Sequence, residues 1–405
     1  MGDAVPGRYR ELFAAKGSVA FSAAGLVARI PVPMMGIGII TMLAQTRGDY
    51  GLAGLVSAVF TLSMALLGPQ VSRLVDRRGQ SRVLVPVTGI SVMALGALLL
   101  CARFEAPVWT LYVSAILAGF MPSMAAMVRA RWSRLYRGSP RLHTAFAWES
   151  VVDELTFVIG PALSVALCTT VFPEAGPLVA VVFLAVGVLL FVAQRETEPP
   201  VLPPSGSAGS SAIRLGAVRV LVLTLVAGGV IVGTVDVVSV AFARHVGSPS
   251  AAGVVVSVYA VGSAISGLVF GTLKPAMTPP RLLLIGTAGT AASVVPLLVV
   301  DGVVSLCAVV FVAGLFFSPT MIVVMEMIEK VVPAEKLTEG MTWAITGLSI
   351  GVALGAAVSG EVVDRFGPDG GFAVAVVAGG LIVLVALLSY PLLRRKTAIS
   401  EEAAR

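Results

Sequence analysis

Three acidic side chains lie within one apolar stretch, in the segment WESVVDELTF that begins at residue 148. Glu149 and Asp153 are four residues apart, so on a helix both project from the same face, and Glu154 follows directly. Desolvation and a neighbouring like charge both favour a protonated carboxyl group, so the expected chemistry is reversible proton binding. Arg29 lies in an earlier apolar stretch and cannot give up its charge, so it requires a carboxylate partner or an anionic ligand.

These embedded charges have two interpretations. In the first, Arg29 pairs with Glu149 or Asp153, and the pair breaks when a proton or a ligand binds. In the second, a permanent ion pair only determines how the helices pack. Asp236, which follows Gly233 and Thr234 in another apolar stretch, is a further candidate for a proton or cation site; a hydrogen-bonding role near the outer end of its helix is the alternative.

Opposite charges also occur at positions related by a shift of 195 residues. This shift places Arg131 on Glu326 and Arg134 on Glu329. The pattern predicts salt bridges between two related halves of the chain that close the cytoplasmic end. Charged helix ends that only reach out to water are the alternative.

Residues typical of enzymes and metal sites are scarce. The only histidines are His143 and His245, and the sequence has no phosphate-binding GxxxxGK[ST] loop, no HExxH and no CxxC. We therefore predict no enzyme, no metal and no cofactor. Cys101, Cys168 and Cys307 are expected to be small core residues, although a disulfide is possible.

The elements that must position these residues are membrane-spanning helices. Of the 405 residues, 57% are hydrophobic and 12% are charged, whereas a soluble protein carries about 25% charged residues. This composition excludes an ordinary soluble enzyme, a nucleic-acid-binding protein and a disordered chain. Apolar stretches, most of them long enough to cross a bilayer, occur at 17–44, 50–72, 83–102, 107–128, 144–170, 175–193, 217–243, 250–273, 281–300, 303–328, 338–362 and 371–393.

The orientation of the twelve predicted spans follows from their loops. One face receives 23 of the 28 Lys and Arg residues and the other receives four, while Arg29 lies inside the first span. Because positive residues concentrate on the cytoplasmic side, both termini are predicted to be cytoplasmic. The residue usage (no asparagine, and Arg far in excess of Lys) is typical of a bacterial gene of high GC content, so we expect the bacterial inner membrane.

The spans divide into two related sets of six. Residues 194–214 are rich in Pro, Ser and Gly, which is typical of a flexible linker. The 195-residue shift also pairs Trp148 with Trp343 and Gly160 with Gly355 without a gap. Parallel six-helix repeats occur in transporters, with the substrate site between the halves. We predict a six-helix bundle over 1–193, a cytoplasmic linker over 194–216 and a second six-helix bundle over 217–405, related by a pseudo-twofold axis.

The loop after the second span reads GPQVSRLVDRRGQSRVL, residues 68–84. It resembles the cytoplasmic loop signature of the major facilitator superfamily, with matches at Asp76, Arg77, Gly79 and Arg82. Ser72 replaces the first glycine of the signature, and Gln80 and Ser81 replace its basic pair. The resemblance implies a conformational latch, in which the carboxylate of Asp76 faces a helix N-terminus of the other half in the outward-open state. A solvated basic loop that only sets topology is the alternative.

In the fifth span, Gly160 and Pro161 resemble the core of a motif of drug and metabolite antiporters in this superfamily. Thr156, Ser164 and Val165 stand where that motif has glycines, and a simple helix kink or close packing explains the pair equally well.

Together, the residues and the resemblance imply a secondary transporter with the all-α major facilitator fold. We expect it to move a small organic molecule across the bilayer by alternating access, as a monomer, exporting the molecule in exchange for protons. The first alternative is a proton- or cation-coupled importer of a sugar or another metabolite. The second is a transport-inactive membrane sensor or scaffold. Nucleic acid is not expected as a partner.

Overall fold

The computed structural model describes residues 4–202, 211–248, 251–273 and 276–403, and all regular structure within these ranges is helical. The α-helices are α1 Ala4–Leu12, α2 Ser18–Arg29, α3 Pro31–Arg47, α4 Tyr50–Arg78, α5 Gln80–Arg103, α6 Val108–Ala118, α7 Met124–Tyr136, α8 Arg141–Thr170, α9 Ala175–Ala193, α10 Gly216–His245, α11 Ala251–Phe270, α12 Pro279–Val294, α13 Val303–Val331 and α14 Leu337–Ala403. Short 3-10 segments occur at Arg195–Thr197, Ala212–Arg214, Val295–Val299 and Ala334–Lys336.

Eleven helical segments of the described chain are long and apolar enough to cross a membrane, and α6 is a shorter apolar helix. The predicted all-α membrane fold is therefore confirmed, with one correction at the fourth span. Residues 107–128 do not form one helix but belong to α6 and α7. Pro122 lacks an N–H and restricts the residue before it. A Cβ on Gly119 would lie 2.5 Å from the Ser63 Cβ, so the chain passes close to α4 at this break.

Two other breaks have local causes. The first span is interrupted at Ile30, between α2 and α3, because Pro31 and Pro33 cannot donate backbone hydrogen bonds. In α14 the backbone leaves the helical conformation at Gly367, which has a φ of 78° and precedes Pro368. Glycine adopts this conformation without a steric penalty, so α14 contains two successive spans.

The chain forms two compact units. The N-terminal unit comprises Arg10–Arg137 and Val152–Ala208, and the C-terminal unit comprises Met1–Tyr9, Gly138–Val151 and Gly209–Arg405. The first three turns of α8 thus group with the C-terminal unit, and the rest of α8 with the N-terminal unit. The boundaries predicted from the sequence follow the internal repeat, whereas the two units described here are defined by which residues lie close together. The predicted boundaries stay a prediction.

Close helix contacts hold α2 inside the N-terminal unit, where it packs against α7 and α9. A Cβ on Gly25 would lie 2.3 Å from the Val128 Cγ2 on α7, and a Cβ on Gly187 of α9 would lie 2.5 Å from the Ala28 backbone nitrogen. Small residues allow helices to approach this closely. As a result, the end of α2 that carries Arg29 is enclosed by protein.

A similar contact recurs in both units. In the N-terminal unit, a Cβ on Gly160 of α8 would lie 2.9 Å from the Pro33 Cγ on α3. In the C-terminal unit, a Cβ on Gly355 of α14 would lie 2.2 Å from the Val230 carbonyl oxygen on α10. Spans five and one, and their counterparts eleven and seven, therefore meet through glycines that the 195-residue shift relates.

Candidate functional site

Three charged side chains form a cluster inside the N-terminal unit. Asp153 on α8 accepts hydrogen bonds from two arginines: Arg29 Nη1 lies 2.8 Å from its Oδ1, and Arg129 Nη2 lies 2.6 Å from its Oδ2. Hydrogen bonds between ionised groups are shorter and stronger than neutral ones. We call these residues the Arg29–Asp153–Arg129 cluster.

Both arginines are also fastened to their own helices. Arg29 is the last residue of α2, and its Nε donates to the Gly25 carbonyl oxygen at 3.3 Å. Arg129 lies in the second turn of α7, and its Nη1 donates to the Ala125 carbonyl oxygen at 3.3 Å. These hydrogen bonds to the helix backbone help to orient the two guanidinium groups that bind Asp153.

In this cluster, two deeply buried arginines share one carboxylate. Arg29 is 4% exposed and Arg129 is 0% exposed, whereas the side chain of Asp153 is 24% exposed. Its three members carry two permanent positive charges and one carboxylate. Within the described part of the chain, the buried Nε of Arg129 has no hydrogen-bond partner. A proton or cation that competes for Asp153 must break two bonds, and an anion could satisfy the arginines in its place.

The other two acids of the fifth span lie on the same helix. Glu149 is fully buried, one turn before Asp153, and belongs to the part of α8 that groups with the C-terminal unit. Glu154 is half-buried. The sequence left Glu149 and Asp153 open as partners of Arg29, and the structure shows the bond to Asp153. A role for these acids in proton coupling stays a prediction.

Sequence reasoning missed Arg129 as a member of this site. It follows the predicted fourth span by one residue, so it was counted among the cytoplasmic loop cations. The break at 119–123 instead starts a new helix, α7, whose second turn places Arg129 against α8. The basic run Arg129, Arg131 and Arg134 signalled a charged helix end, but its spacing does not reveal which arginine faces inward.

Asp236 lies on α10 and is half-buried. Among the described residues its carboxylate forms no hydrogen bond or ion pair, and the neighbouring Thr234 hydroxyl donates to the Val230 carbonyl oxygen of its own helix. The structure does not join Asp236 to the Arg29–Asp153–Arg129 cluster, which belongs to the other unit.

Arg131 organises the start of the linker. Its Nε donates to Gln80 Oε1, and its Nη1 donates to the Gln194 carbonyl oxygen and to Thr197 Oγ1, each at 2.8 Å. The guanidinium carbon lies 3.7 Å from the centre of the Phe191 ring, a cation–π contact. Burial lowers the pKa of Arg131 to about 10. Because this pKa is still well above neutral pH, the side chain stays charged.

Three of the four predicted gate residues, Arg131, Arg134 and Glu326, have partners other than the predicted ones. All hydrogen bonds of Arg131 lie within the N-terminal unit, and Arg134 donates to the carbonyl oxygen of Glu198. In the C-terminal unit, Glu326 contacts His143 Nδ1 at 2.5 Å. Glu329 lies one turn further along α13. Arg131 and Arg134 are thus engaged by the linker, and a gate role for the four residues stays a prediction.

A sequence model described as Major Facilitator Superfamily matches residues 18–242 and 220–405. The chain belongs to the major facilitator superfamily. The resemblance that residues 68–84 indicated is therefore confirmed. No curated protein matches the chain at a significant level.

Solved structures share the fold of this transporter at low sequence identity. The human organic anion transporter MFSD10 is 14% identical with a TM-score of 0.71, over 92% of this chain and 99% of that one. A bacterial homologue of the iron transporter ferroportin, in an outward-facing state, is 12% identical with a TM-score of 0.73, over 92% and 99%. The E. coli fucose:proton symporter FucP is 14% identical with a TM-score of 0.67, over 91% and 98%.

Family membership defines the general function. The transporter is a multi-pass membrane protein that moves small molecules across the bilayer, and it is not an enzyme. No group of three or more His, Cys, Asp or Glu side chains that could hold a metal ion occurs in the described ranges. The three cysteines carry free thiols.

The loop signature of the transporter forms a tight turn at a glycine. Gly79 separates α4 from α5 with a φ of 91°, a conformation that favours glycine. Asp76 is half-buried, and Arg77 and Arg82 are exposed. The linker closes over this turn, because Glu198 Oε1 accepts a hydrogen bond from the first turn of α5 at 2.8 Å. The latch role of these residues stays a prediction.

Gly160 and Pro161 serve packing in the structure. Both lie inside the continuous helix α8, and Gly160 provides the close approach to Pro33 described above. The alternative of close packing therefore has direct structural support, whereas the exchanger motif has only the sequence match.

Proposed function

We propose that this transporter couples the movement of a small organic molecule to the movement of protons, with Asp153 as the coupling carboxylate. The observation that supports the proposal is a carboxylate held by two buried guanidinium groups and still 24% exposed. Proton binding to Asp153 removes its charge and weakens both bonds to the arginines. One proton thereby changes the contacts that hold α2, α7 and α8 together.

For the direction of transport, we propose export in exchange for protons. In this cycle the proton and the substrate compete for Asp153, so one must leave before the other binds, and the inward proton gradient drives the substrate out. The Gly160-Pro161 resemblance supports this direction. The strongly asymmetric distribution of Lys and Arg supports a bacterial inner-membrane protein with both termini in the cytoplasm. One chain carries the whole cycle.

Arg129 favours a second candidate function, the uptake of an anionic metabolite together with a proton. Two buried arginines share the carboxylate of Asp153, and the Nε of Arg129 has no hydrogen-bond partner within the described ranges. Once Asp153 has taken up a proton, a substrate carboxylate can replace it between the two guanidinium groups. Proton and anion are then bound at the same time and move in the same direction.

One experiment separates these proposals. The purified transporter is reconstituted into proteoliposomes with an imposed pH gradient and an internal pH dye, and cationic drugs, sugars and organic acids are added in turn. Asp153→Asn is compared with wild type. Asp364→Asn is the matched control, because the Asp364 side chain is exposed.

We expect one class of compound to evoke proton flux in wild type and in Asp364→Asn, and none in Asp153→Asn. Exchange moves protons against the direction of the substrate, whereas co-transport moves both in the same direction. Equal proton flux in wild type and Asp153→Asn would refute the role of Asp153. Uptake of a labelled compound without any proton flux would refute proton coupling itself.

A further inference from the structure

A second polar cluster lies in the C-terminal unit, where the start of α8 meets α11 and α13. The Nε2 of His143 lies 2.7 Å from the Phe270 carbonyl oxygen, and its Nδ1 lies 2.5 Å from Glu326 Oε1. Both side chains are largely enclosed, His143 being 12% and Glu326 17% exposed. These contacts join span five to spans eight and ten.

The two contacts of His143 require a bound proton. A carbonyl oxygen and a carboxylate oxygen are both acceptors, so both ring nitrogens must face them with a hydrogen. A neutral imidazole has only one N–H, and with an ionised Glu326 it would point a nitrogen lone pair at an oxygen. The geometry is satisfied when His143 carries two N–H groups, or when Glu326 itself is protonated. In either form, the pair holds one proton more than a neutral histidine and an ionised glutamate.

The end of α11 favours this positive charge. The last carbonyl groups of a helix have no partner within the helix and form its negative pole. Here they accept from side chains of α1 and α8: Tyr9 donates to Leu268 at 2.9 Å, Thr144 to Gly271 at 2.8 Å, and Arg8 to Thr272. His143 therefore belongs to a row of donors that docks α1 and α8 on the C-terminal end of α11.

Other charges surround the pair on each packed element. Arg8 on α1 opposes a positive His143, and Glu326 on α13 favours it. Arg141 precedes His143 on α8, and Glu329 and Lys330 follow Glu326 on α13. The helix α11 has no Asp, Glu, Lys or Arg in its sequence, so its contribution comes from its carbonyl groups and from the Phe270 ring, whose centre lies 4.9 Å from that of His143.

We propose that His143 and Glu326 form a proton-binding clamp within the C-terminal unit. With one proton bound, the pair fastens α8 to α11 and α13. When that proton leaves, a nitrogen lone pair of His143 faces an acceptor oxygen, and the start of α8 loses one of its contacts in this unit. The clamp does not depend on Asp153 or on the chemistry of the substrate, and it makes the docking of α8 sensitive to pH.

Because the chain has only two histidines, the proton can be observed directly. His245 is exposed on α10, and His245→Gln leaves a single histidine. The purified full-length variant, labelled with ¹⁵N-histidine in lipid nanodiscs, is examined by NMR at pH 7.5 without substrate. We expect the ¹⁵N shifts of an imidazolium, or of a neutral ring together with the infrared band of a protonated carboxyl. Adding Glu326→Gln should abolish either signal. The proposal would be overturned if the imidazole ring is neutral and the infrared spectrum has no protonated-carboxyl band that disappears in Glu326→Gln.

The clamp itself is tested by a distance measurement within the C-terminal unit. Spin labels are placed by Pro140→Cys and Leu273→Cys, two exposed positions beside the start of α8 and the end of α11, with Cys101, Cys168 and Cys307 changed to serine. We expect the shorter distance to predominate at pH 6 and the longer one to gain at least threefold in population at pH 8. Glu326→Gln should remove this pH dependence, and His245→Gln should retain it. Distances that respond to pH equally in Glu326→Gln would overturn the clamp.

Discussion

The charge balance of the Arg29–Asp153–Arg129 cluster predicts an asymmetric effect of single substitutions on stability. Asp153→Asn removes the charge that both buried guanidinium groups contact. Arg129→Met removes one of these two bonds and keeps the one between Arg29 and Asp153. We therefore expect Asp153→Asn to destabilise the transporter more than Arg129→Met does, although both substitutions remove hydrogen bonds to the same side chains.

The magnitude follows from the distances and the burial. Unit charges at the observed separations of 2.6 and 2.8 Å attract by about 6 kcal/mol at an effective dielectric constant near 20. The loss of hydration offsets much of this attraction, and removing one partner of a buried pair costs about 3–5 kcal/mol. The partial exposure of Asp153 places its loss at the lower end, about 3 kcal/mol. In the Arg129→Met background, the cost of Asp153→Asn should fall by about 1–3 kcal/mol.

The assay is a double-mutant cycle on the free energy of unfolding. Wild type, both single variants and the double variant are titrated with SDS in mixed micelles, and helix content is followed by circular dichroism. Asp364→Asn again serves as the control for an exposed aspartate and should match wild type within about 0.5 kcal/mol.

Additive effects would refute this reasoning. If the double variant loses the sum of the two single losses within about 0.5 kcal/mol, the two side chains do not share an interaction. A larger loss for Arg129→Met than for Asp153→Asn would also contradict the reasoning, since Asp153 would then contribute less to stability than one of its two arginine partners.

Three other positions lead to outcomes that can be measured in the same preparation. Gly187→Val should lower the free energy of unfolding by about 1–3 kcal/mol, because its Cβ would enter the backbone of α2, whereas Gly96→Val, with no atom within 4 Å of its Cβ, should have little effect. Glu198→Ala should cost about 0.3–1 kcal/mol, less in high salt, because the N-terminus of α5 loses an acidic acceptor; an unchanged value would exclude this contact. Asp236→Asn should flatten the pH dependence of transport, because the substitution removes a half-buried carboxyl group that can take up a proton, and a wild-type pH profile would remove Asp236 from the coupling machinery.

Much of the architecture was available from the sequence. Membrane insertion requires about 20 apolar residues per helix and satisfied backbone groups, so the spans can be recognised one stretch at a time. The fourth span shows the limit of this rule. Its apolar composition over 107–128 predicted one helix, and the break between α6 and α7 depends on Pro122 and on the close approach of Gly119 to Ser63, a contact between separate spans.

Family membership could also be predicted, because residues 68–84 carry the loop signature in a continuous segment. Embedded charges such as Arg29 and Asp153 were recognisable as well, since an ionisable group in an apolar stretch is costly and therefore informative. These features depend on residues that lie close together in the sequence. They can therefore be recognised without the tertiary structure.

Only the tertiary structure decided which charges meet. Arg129 stood among loop arginines in the sequence, and the start of α7 places it 2.6 Å from Asp153. Arg131, two residues later, instead binds the linker, and Glu326 meets a histidine 183 residues away in the chain. Electrostatic partners depend on distances of a few ångströms between separate helices, and a helix rotates by about 100° per residue. The orientation and ends of each helix therefore determine the candidate sites, and packing determines both.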